Sequence, residues 1–272
     1  MNTKEHSQEY FSARGVSEEL YIDVPLPAYF KEVLDGLEAN ARILDFGCGF
    51  GQTLNAIQSL DTKKSQSYKS SKNNENSAMG GGAETNQSNP TQKIDSGYYL
   101  CGIDINMRAI EYVKSLGIDA LCIEDILSFK PKEKFDLIIT THCLEHLPKQ
   151  NIISTLQHFR EHILKKNGKI FVAVPNAQSA TGCYWAYEDF THNTLFTAGS
   201  LIYVLKMAGF SDVKIIDKDA LAGSRGIKKF IKKALLSLYI LKTKIWNKAT
   251  NSAFHAPSPQ VFSYEVKAIA FA

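Results

Sequence analysis

The stretch Ile43-Leu44-Asp45-Phe46-Gly47-Cys48-Gly49-Phe50-Gly51 leads from an apolar run directly into three glycines spaced two residues apart. A helix-period segment, residues 51–60, follows, so the stretch predicts a strand, a tight turn and the start of a helix. Glycines in such a turn let the backbone approach a ligand closely, and the helix N-terminus behind them carries partial positive charge. We therefore predict a ligand site at this turn.

Two residues narrow the choice of ligand. A dinucleotide-binding fingerprint would place its third glycine at Gln52, so the pattern typical of NAD-binding proteins is broken. Asp45, two residues before the first glycine, would repel a pyrophosphate and instead suits a ligand that carries an amino group. Both residues favour a ligand other than NAD.

A second acid, Asp104, follows the next apolar run in Gly102-Ile103-Asp104-Ile105-Asn106. We expect it at the end of the second strand, where neighbouring strands meet the ligand crevice. Its direct separation from Gly51 far exceeds the roughly 20 residues typical of a ribose-binding acid. Residues 61–97 account for the excess, because their polar and small composition predicts a disordered loop inserted into an ordinary β-α-β unit.

The rest of the chain alternates strand-like and helix-like segments. Strands are predicted at Arg42–Phe46, Tyr98–Ile103, Phe135–Thr140, Lys169–Val174, Val213–Ile216 and Val261–Phe271, and helices at Pro25–Glu38, residues 51–60, Met107–Leu116, Lys149–Leu164 and Thr197–Ala208. This order predicts an α/β fold with a Rossmann-like, doubly wound and mostly parallel sheet, whose late strand pairs antiparallel at or near an edge. The expected units are a helical cap (1–40), a main domain (41–222 and 258–272) and a basic amphipathic helical segment (223–250).

Five motifs occur in order: ILDFGCGFG (43–51), GIDIN (102–106), CIEDI (122–126), FDLIITTHCLEHLP (135–148) and LKKNGKIFVAVPN (164–176). Together they resemble the successive motifs of class I S-adenosylmethionine-dependent methyltransferases, from about residue 42 to residue 271. The resemblance implies the class I methyltransferase fold, S-adenosyl-L-methionine as the cofactor and methyl transfer as the reaction.

The same resemblance implies a set of cofactor contacts. Asp45 would lie near the cofactor's amino group, and Asp104 would take the ribose hydroxyls. Asp125 would accept a hydrogen bond from the adenine amino group, although Glu124 could compete for that role. The other contacts would come from the glycine turn beneath the methionine part, the residue after Asp104, the adenine pocket and the end of the fourth strand: Gly47, Cys48, Gly49, Gly51, Ile105, Ile126, Thr140 and His142.

The acceptor side calls for a different kind of residue. Methyl transfer from a sulfonium needs alignment of the reacting groups and, for a hydroxyl acceptor, removal of a proton. A base with a pKa near 7 suits that task, which points to His142, His146 or His192. We favour His192 as the catalytic base, oriented by Asp189, while His146 either supports its loop or takes part directly.

Aromatic residues cluster around His192 in the sequence. They could form an apolar wall over a sugar or ring acceptor, or they could be a lid that packs on the core. The four side chains are Tyr184, Trp185, Tyr187 and Phe190.

No metal site is expected. The five cysteines are scattered singly without a C-x-x-C pair, which fits reduced thiols in a cytoplasmic protein. His158 and His162 are spaced i, i+4 on a predicted helix, but neither an acid nor a cysteine accompanies them. We expect these two histidines on a solvated or half-buried helix face.

The segment DFTHNTLFTAGSL (189–201), together with the basic segment, resembles bacterial methyltransferases that act on sugars or lipid-linked glycans in cell-surface polysaccharide pathways. This implies O-methylation of a sugar or lipid-linked glycan acceptor. A methyltransferase of a quinone or small aromatic metabolite is an alternative, since the aromatic wall suits it equally. A module that binds the cofactor without turnover is another.

The net charge of +3 conceals an uneven distribution. Residues 223–250 carry seven lysines and one arginine with no acid, which leaves 23 basic against 28 acidic residues elsewhere. Such a helix is typical of peripheral attachment to an anionic membrane surface, and it could also pack on the domain or on a second subunit. Nucleic acid is a less suitable partner because the remaining body is acidic. The N-terminus lacks a secretory h-region, and no apolar run is long enough to span a bilayer, so we expect a cytoplasmic protein.

Overall fold

Seven strands form one sheet within the part of the chain that the computed structural model describes, residues 9–17, 20, 24–60 and 97–272. Their bounds are β1 Arg42–Phe46, β2 Tyr99–Asp104, β3 Asp119–Cys122, β4 Phe135–Thr141, β5 Leu164–Pro175, β6 Ser211–Ile215 and β7 Glu265–Phe271. Apart from residue 97, the predicted insertion lies outside the described residues.

The strand order across the sheet is β3-β2-β1-β4-β5-β7-β6. All neighbouring pairs are parallel except those of β7, which is antiparallel to both β5 and β6. The predicted α/β, doubly wound and mostly parallel sheet with a late antiparallel strand is confirmed. That strand begins at Glu265 rather than Val261, because the Asn176 side-chain amide takes up the carbonyls of Val261 and Ser263 at 2.6 and 2.8 Å.

Eight helices are described: α1 residues 9–13, α2 Phe30–Leu34, α3 residues 52–60, α4 Met107–Ser115, α5 Ile152–His158, α6 Gly182–Glu188, α7 Ala198–Met207 and α8 Gly226–Ala249. The predicted helix Lys149–Leu164 is divided into a 3-10 turn, α5 and a π-helical turn at Phe159–Ile163. The predicted N-terminal cap is described only in part, as α1 and α2.

The central strands separate two hydrophobic cores. Ile43 and Leu137 face the core that contains α2, α3 and α4, whereas Leu44 and Ile138 face the core that contains α5 and α7. Burial on both faces holds the central strands in place, and the loops after β1, β2 and β4 therefore meet at one edge of a rigid sheet.

The helix α8 contributes little to either core. None of its residues is buried, and Phe230 and Leu238 are 69% and 63% exposed. One contact with the body joins the rings of Tyr239 and Phe262 at 5.6 Å between centroids. The basic helix is therefore present, and most of its apolar side chains are exposed rather than packed on the described part of the domain. No helix among the described residues is both long and apolar enough to cross a membrane.

Candidate active site

The turn after β1 adopts backbone conformations that favour glycine. Gly47 and Gly51 have φ angles of +76° and +75°. A Cβ on Gly47 would lie 2.5 Å from Cys143 Sγ, and a Cβ on Gly51 would lie 2.8 Å from Val113 Cγ2. Gly47 N also donates to the Ile103 carbonyl at 2.8 Å, which fastens the turn to β2. Both positions therefore require glycine for conformation and for space.

Asp104 ends β2 and anchors the same turn. Its Oδ2 accepts a hydrogen bond from Gly49 N at 2.9 Å, and its Oδ1 accepts one from Asn106 N at 2.9 Å. Burial raises the pKa of Asp104, although these backbone hydrogen bonds oppose the shift. Asp104 thus lies at the predicted strand end, and its contact with a ribose remains a prediction.

Asp45 is a buried acid at the β1 end of the site. It is 2% exposed, and its Oδ1 has no hydrogen-bond partner among the described residues. Burial, and next the Asp104 carboxylate, raise the pKa of Asp45 to about 7. A nearby ammonium group would stabilise the Asp45 carboxylate, so this residue fits the amino end of S-adenosyl-L-methionine.

The predicted adenine contacts follow β3. Asp125 Oδ1 accepts a hydrogen bond from Leu127 N at 3.0 Å and caps a short 3-10 turn, Ile126–Ser128. Ile126 is buried, whereas Glu124 and Asp125 are both exposed. Because both acids are exposed, their competition for the adenine amino group stays open.

At the other end of the site, β4 places Thr140 in the interior and His142 beside two acids. His142 Nε2 lies 2.7 Å from Glu265 Oε1, and its Nδ1 lies 3.4 Å from Glu145 Oε1. Burial lowers the pKa of His142, but the Glu145 and Glu265 carboxylates outweigh it and raise the pKa above its usual value. The side chain is 46% exposed, so solvent weakens this effect. His142 is nevertheless a poor general base at neutral pH.

His192 is the buried histidine of the acceptor side. Its Nδ1 lies 2.7 Å from the Trp185 carbonyl oxygen, which can only accept, so Nδ1 carries the hydrogen. The lone pair of the neutral ring is therefore on Nε2, which lies 4.0 Å from Glu145 Oε1 and 3.8 Å from Asp189 Oδ2. This nitrogen is available to a ligand.

Asp189 connects the link after α6 to the N-terminal segment. Its carboxylate accepts hydrogen bonds from Tyr10 OH at 2.5 Å, from Thr191 Oγ1 at 2.6 Å and from Thr191 N at 3.0 Å, and it lies 3.2 Å from Arg14. Burial alone would raise the pKa of Asp189, but the hydrogen bonds from Thr191 and Tyr10 lower it to about 2. The expectation that the Asp189 side chain orients His192 is wrong, because the 3.8 Å between Asp189 Oδ2 and His192 Nε2 is too long for a hydrogen bond. The Trp185 carbonyl orients the ring instead.

His146 is next to His192, with 4.7 Å between ring centroids. Its Nδ1 lies 2.7 Å from Thr191 Oγ1. The single hydroxyl hydrogen of Thr191 is already donated to Asp189, so His146 Nδ1 must be the donor in this contact. Burial lowers the pKa of His146, which keeps the ring neutral at physiological pH.

Glu145 is the site residue that sequence reasoning missed. Its side chain is fully buried, and neither carboxylate oxygen makes a hydrogen bond within the described part of the chain. Its backbone carbonyl accepts from Asn193 N at 2.8 Å, which joins the loop after β4 to the segment that carries His192. The signal available in the sequence was an acidic residue, Glu145, between the apolar residues Leu144 and Leu147.

The helix α1 contacts both the glycine turn, where the cofactor is expected, and the acceptor side around His192. Phe11 packs on Phe50 at 4.7 Å between ring centroids, and its Cζ would lie 3.6 Å from a Cβ on Gly49. Tyr10, one residue earlier, donates to Asp189. The N-terminal segment therefore bridges the glycine turn and the acceptor side.

The aromatic side chains near His192 do not pack on the core. Phe190 is fully exposed, Tyr184 and Tyr187 are mostly exposed, and Trp185 is only partly covered. The alternative of a packed lid is therefore wrong for the first three, which remain free to contact an acceptor.

A family model described as a methyltransferase domain matches residues 21–215, more than half of the chain. The chain belongs to this methyltransferase family. The methyltransferase is an enzyme, and S-adenosyl-L-methionine is its cofactor. A search of curated proteins found no match.

Solved structures similar to the methyltransferase include three from different organisms. A SAM-dependent methyltransferase from Archaeoglobus fulgidus is 19% identical with a TM-score of 0.55, and the match covers 97% of each chain. A possible histamine N-methyltransferase from Thermotoga maritima is 14% identical with a TM-score of 0.55 and 98% coverage of each chain. Haemonchus contortus phosphoethanolamine N-methyltransferase 2, in complex with S-adenosyl-L-methionine, is 14% identical with a TM-score of 0.52, covering 97% of this chain and 59% of the other. At these identities the likeness shows the fold alone.

Proposed function

We propose that the methyltransferase methylates a hydroxyl group of a sugar or a lipid-linked glycan in cell-surface polysaccharide synthesis. The observation that carries this proposal is the buried His192, whose Nε2 carries a lone pair that no described residue occupies. A hydroxyl acceptor must lose its proton during methylation, and a neutral imidazole at the acceptor side suits its activation.

The role of each site residue follows from its position. The bound cofactor supplies an electrophilic methyl group with a good leaving group. The glycine turn and Asp104 fix one edge of the crevice, and Asp45 offers a carboxylate to the cofactor's amino group. His192 activates the acceptor hydroxyl, while Asp189 holds the surrounding segment in place through its hydrogen bonds.

The exposed aromatics support a ring-shaped acceptor. Tyr184, Tyr187 and Phe190 offer exposed apolar faces on the segment that leads to His192, a combination that suits a pyranose ring with its hydroxyl groups. The same faces favour a second candidate acceptor, a quinone or another small aromatic metabolite.

We also propose that α8 attaches the enzyme to an anionic membrane surface, from the cytoplasmic side. Its exposed apolar residues recur at helical spacing, and no acidic residue interrupts its lysines. Apolar insertion and attraction to anionic headgroups then act together, which would bring the site to lipid-linked acceptors.

Transfer of a radiolabelled methyl group from S-adenosyl-L-methionine into cell fractions tests the acceptor class. We expect label in the polysaccharide or lipid-linked glycan fraction. Label confined to a quinone fraction would favour the second candidate, and label confined to RNA or protein would reject both.

Vesicle pelleting tests the membrane proposal separately. In the full chain, replacing Lys228, Lys229, Lys232 and Lys233 by glutamate should abolish pelleting with anionic vesicles. The control replaces Lys165 and Lys166 by glutamate. These two lysines are exposed at the beginning of β5, so this variant should pellet like the wild type. Equal pelleting by all three proteins would refute the proposal.

A further inference from the structure

Three potential metal-binding side chains converge on the acceptor side. One ligand-capable atom each of Glu145, His146 and His192 lies within 4.8 Å of the other two. The three residues come from two distant segments, the loop after β4 and the link after α6. Their convergence is therefore a product of the fold rather than of local sequence.

The hydrogen bonds around the histidines leave a lone pair on each ring. His192 Nδ1 donates to the Trp185 carbonyl, and His146 Nδ1 donates to Thr191 Oγ1, whose own hydrogen goes to Asp189. Each neutral ring then has its lone pair on Nε2. Metal-bound histidines in proteins are held in this way, with the second ring nitrogen donating to a carbonyl or to a carboxylate-linked group.

Glu145 supplies an independent observation. Its side chain is fully buried, and both oxygens lack hydrogen bonds within the part of the chain that is described. His142 lies on one side of this carboxylate, with Nδ1 3.4 Å from Oε1, while its Nε2 lies 2.7 Å from Glu265. His142 therefore balances part of the Glu145 charge without a hydrogen bond to it, and a cation on the histidine side would stabilise the buried carboxylate further.

We propose that Glu145, His146 and His192 bind a divalent first-row transition-metal ion. Two imidazole nitrogens and one carboxylate are the ligand set of such ions, whereas magnesium and calcium prefer oxygen ligands. Ligands about 2.1 Å from one ion lie at most about 4.2 Å apart. The 4.0 Å between Glu145 Oε1 and His192 Nε2 is within that limit, and none of the three separations exceeds 4.8 Å.

Three protein ligands leave an open coordination position on the ion. Here the inference rests on the proposed function and changes the role of His192 in it. With the ion bound, His192 Nε2 is a ligand and does not take the proton. The acceptor hydroxyl binds in the open position, where the ion makes it more acidic, and its proton passes to solvent water. The expectation of no metal site, drawn from the scattered cysteines and from His158 and His162, is replaced by this proposal. The sequence does not reveal this ligand set because Glu145 and His192 are far apart along the chain.

Metal binding, measured without any acceptor, tests the inference. Calorimetry with Zn²⁺ and absorption spectroscopy with Co²⁺ on the full chain should show one site per molecule. Glu145→Gln should weaken binding at least 10- to 100-fold, and Thr191→Val, which removes the group that orients His146, should weaken it by up to about the same factor.

His162→Asn is the matched control, because it also removes a histidine that lies beside another one, but outside the cluster. The rings of His162 and His158 are 4.8 Å apart between centroids. It should bind both ions like the wild type, and circular dichroism should show all variants folded. Absence of binding by the wild type, or equal binding by wild type, Glu145→Gln and Thr191→Val, would overturn the inference. Since no methyl transfer is measured, a failed acceptor assay leaves this result unaffected, and a failed metal assay leaves the proposed acceptor standing.

Discussion

The glycine turn after β1 and the histidine cluster after β4 lie at the same edge of the sheet, yet they are held by different kinds of contact. In the turn, Gly47 N and Gly49 N are fixed by hydrogen bonds to β2. In the cluster, the Thr191 hydroxyl positions His146 and is itself held by the Asp189 side chain, to which Tyr10 also donates, while the Trp185 carbonyl orients His192. The backbone-built half suits a cofactor shared across a family, whereas the side-chain half can change with the acceptor. Mutations in the glycine turn should therefore lower cofactor affinity, and mutations in the histidine cluster should lower turnover.

The largest effect should come from His192→Ala. Loss of the activating group should lower turnover by roughly 10²- to 10⁴-fold, because general acid–base or equivalent activation contributes about that much. The affinity for S-adenosyl-L-methionine, measured by calorimetry, should be unchanged. His162→Ala serves as the control and should retain full turnover. A His192→Ala enzyme of normal activity would remove this residue from the mechanism.

Gly47→Ala should break the other half. The new Cβ would lie 2.5 Å from Cys143 Sγ, and the φ of +76° adds about 1–2 kcal/mol of backbone strain. Overpacking contributes about another 1–3 kcal/mol, which lowers stability. Because this turn borders the cofactor site, the shift that relieves the clash should also lower cofactor affinity, measured by calorimetry, by about 10²-fold.

Gly36→Ala separates the strain from the clash. Gly36 has a similar φ of +73°, but a Cβ there would meet nothing within 4 Å. This variant should lose only the strain energy and keep its cofactor affinity. If both variants lost affinity equally, the tight fit against Cys143 would not explain the requirement for Gly47.

The pH dependence of cofactor affinity should report on Asp45. Burial raises the pKa of Asp45 from 3.8 to about 7, so between these values the folded protein holds a proton that the unfolded chain has lost. This group therefore reduces stability as pH rises through that window. The cofactor's ammonium group prefers the ionised Asp45 carboxylate. As the pH rises toward 7, cofactor affinity should therefore increase by up to about tenfold per pH unit, and it should level off above pH 7. Asp45→Asn should remove this slope, and an unchanged slope would exclude Asp45 as its origin.

The smallest effect should come from Tyr10→Phe, which tests the bridge between the halves. The variant loses the 2.5 Å hydrogen bond to Asp189, worth about 1.5–3 kcal/mol when fully buried and less at this partly exposed position. We expect KM for the cofactor and for the acceptor to rise several-fold, since α1 contacts both sides. Tyr203→Phe, on an exposed face of α7, should have no effect. Identical kinetics for the two variants would show that the bridge is dispensable.

The sequence predicted the backbone-built half more completely than the other half. Gly47, Gly49, Gly51 and Asp104 are close in sequence once residues 61–97 are set aside, and strand ends place them together by topology alone. Glu145 and His192 depend on long-range packing, and the hydrogen bond that orients His192 comes from the Trp185 backbone carbonyl, which leaves no mark in residue identity. The absence of a hydrogen bond between the side chains of Asp189 and His192 could not be predicted for the same reason.

The chemical form of the transferred methyl group tests the central claim most directly. An isotope-labelled methyl group should be transferred from S-adenosyl-L-methionine to the purified acceptor fraction and identified by nuclear magnetic resonance. We expect the signal of a methyl ether on a glycan hydroxyl, present with the wild type and absent with His192→Ala. A methyl group on nitrogen or in a carboxylate ester, or an ether signal that persists in the His192→Ala sample, would contradict the account.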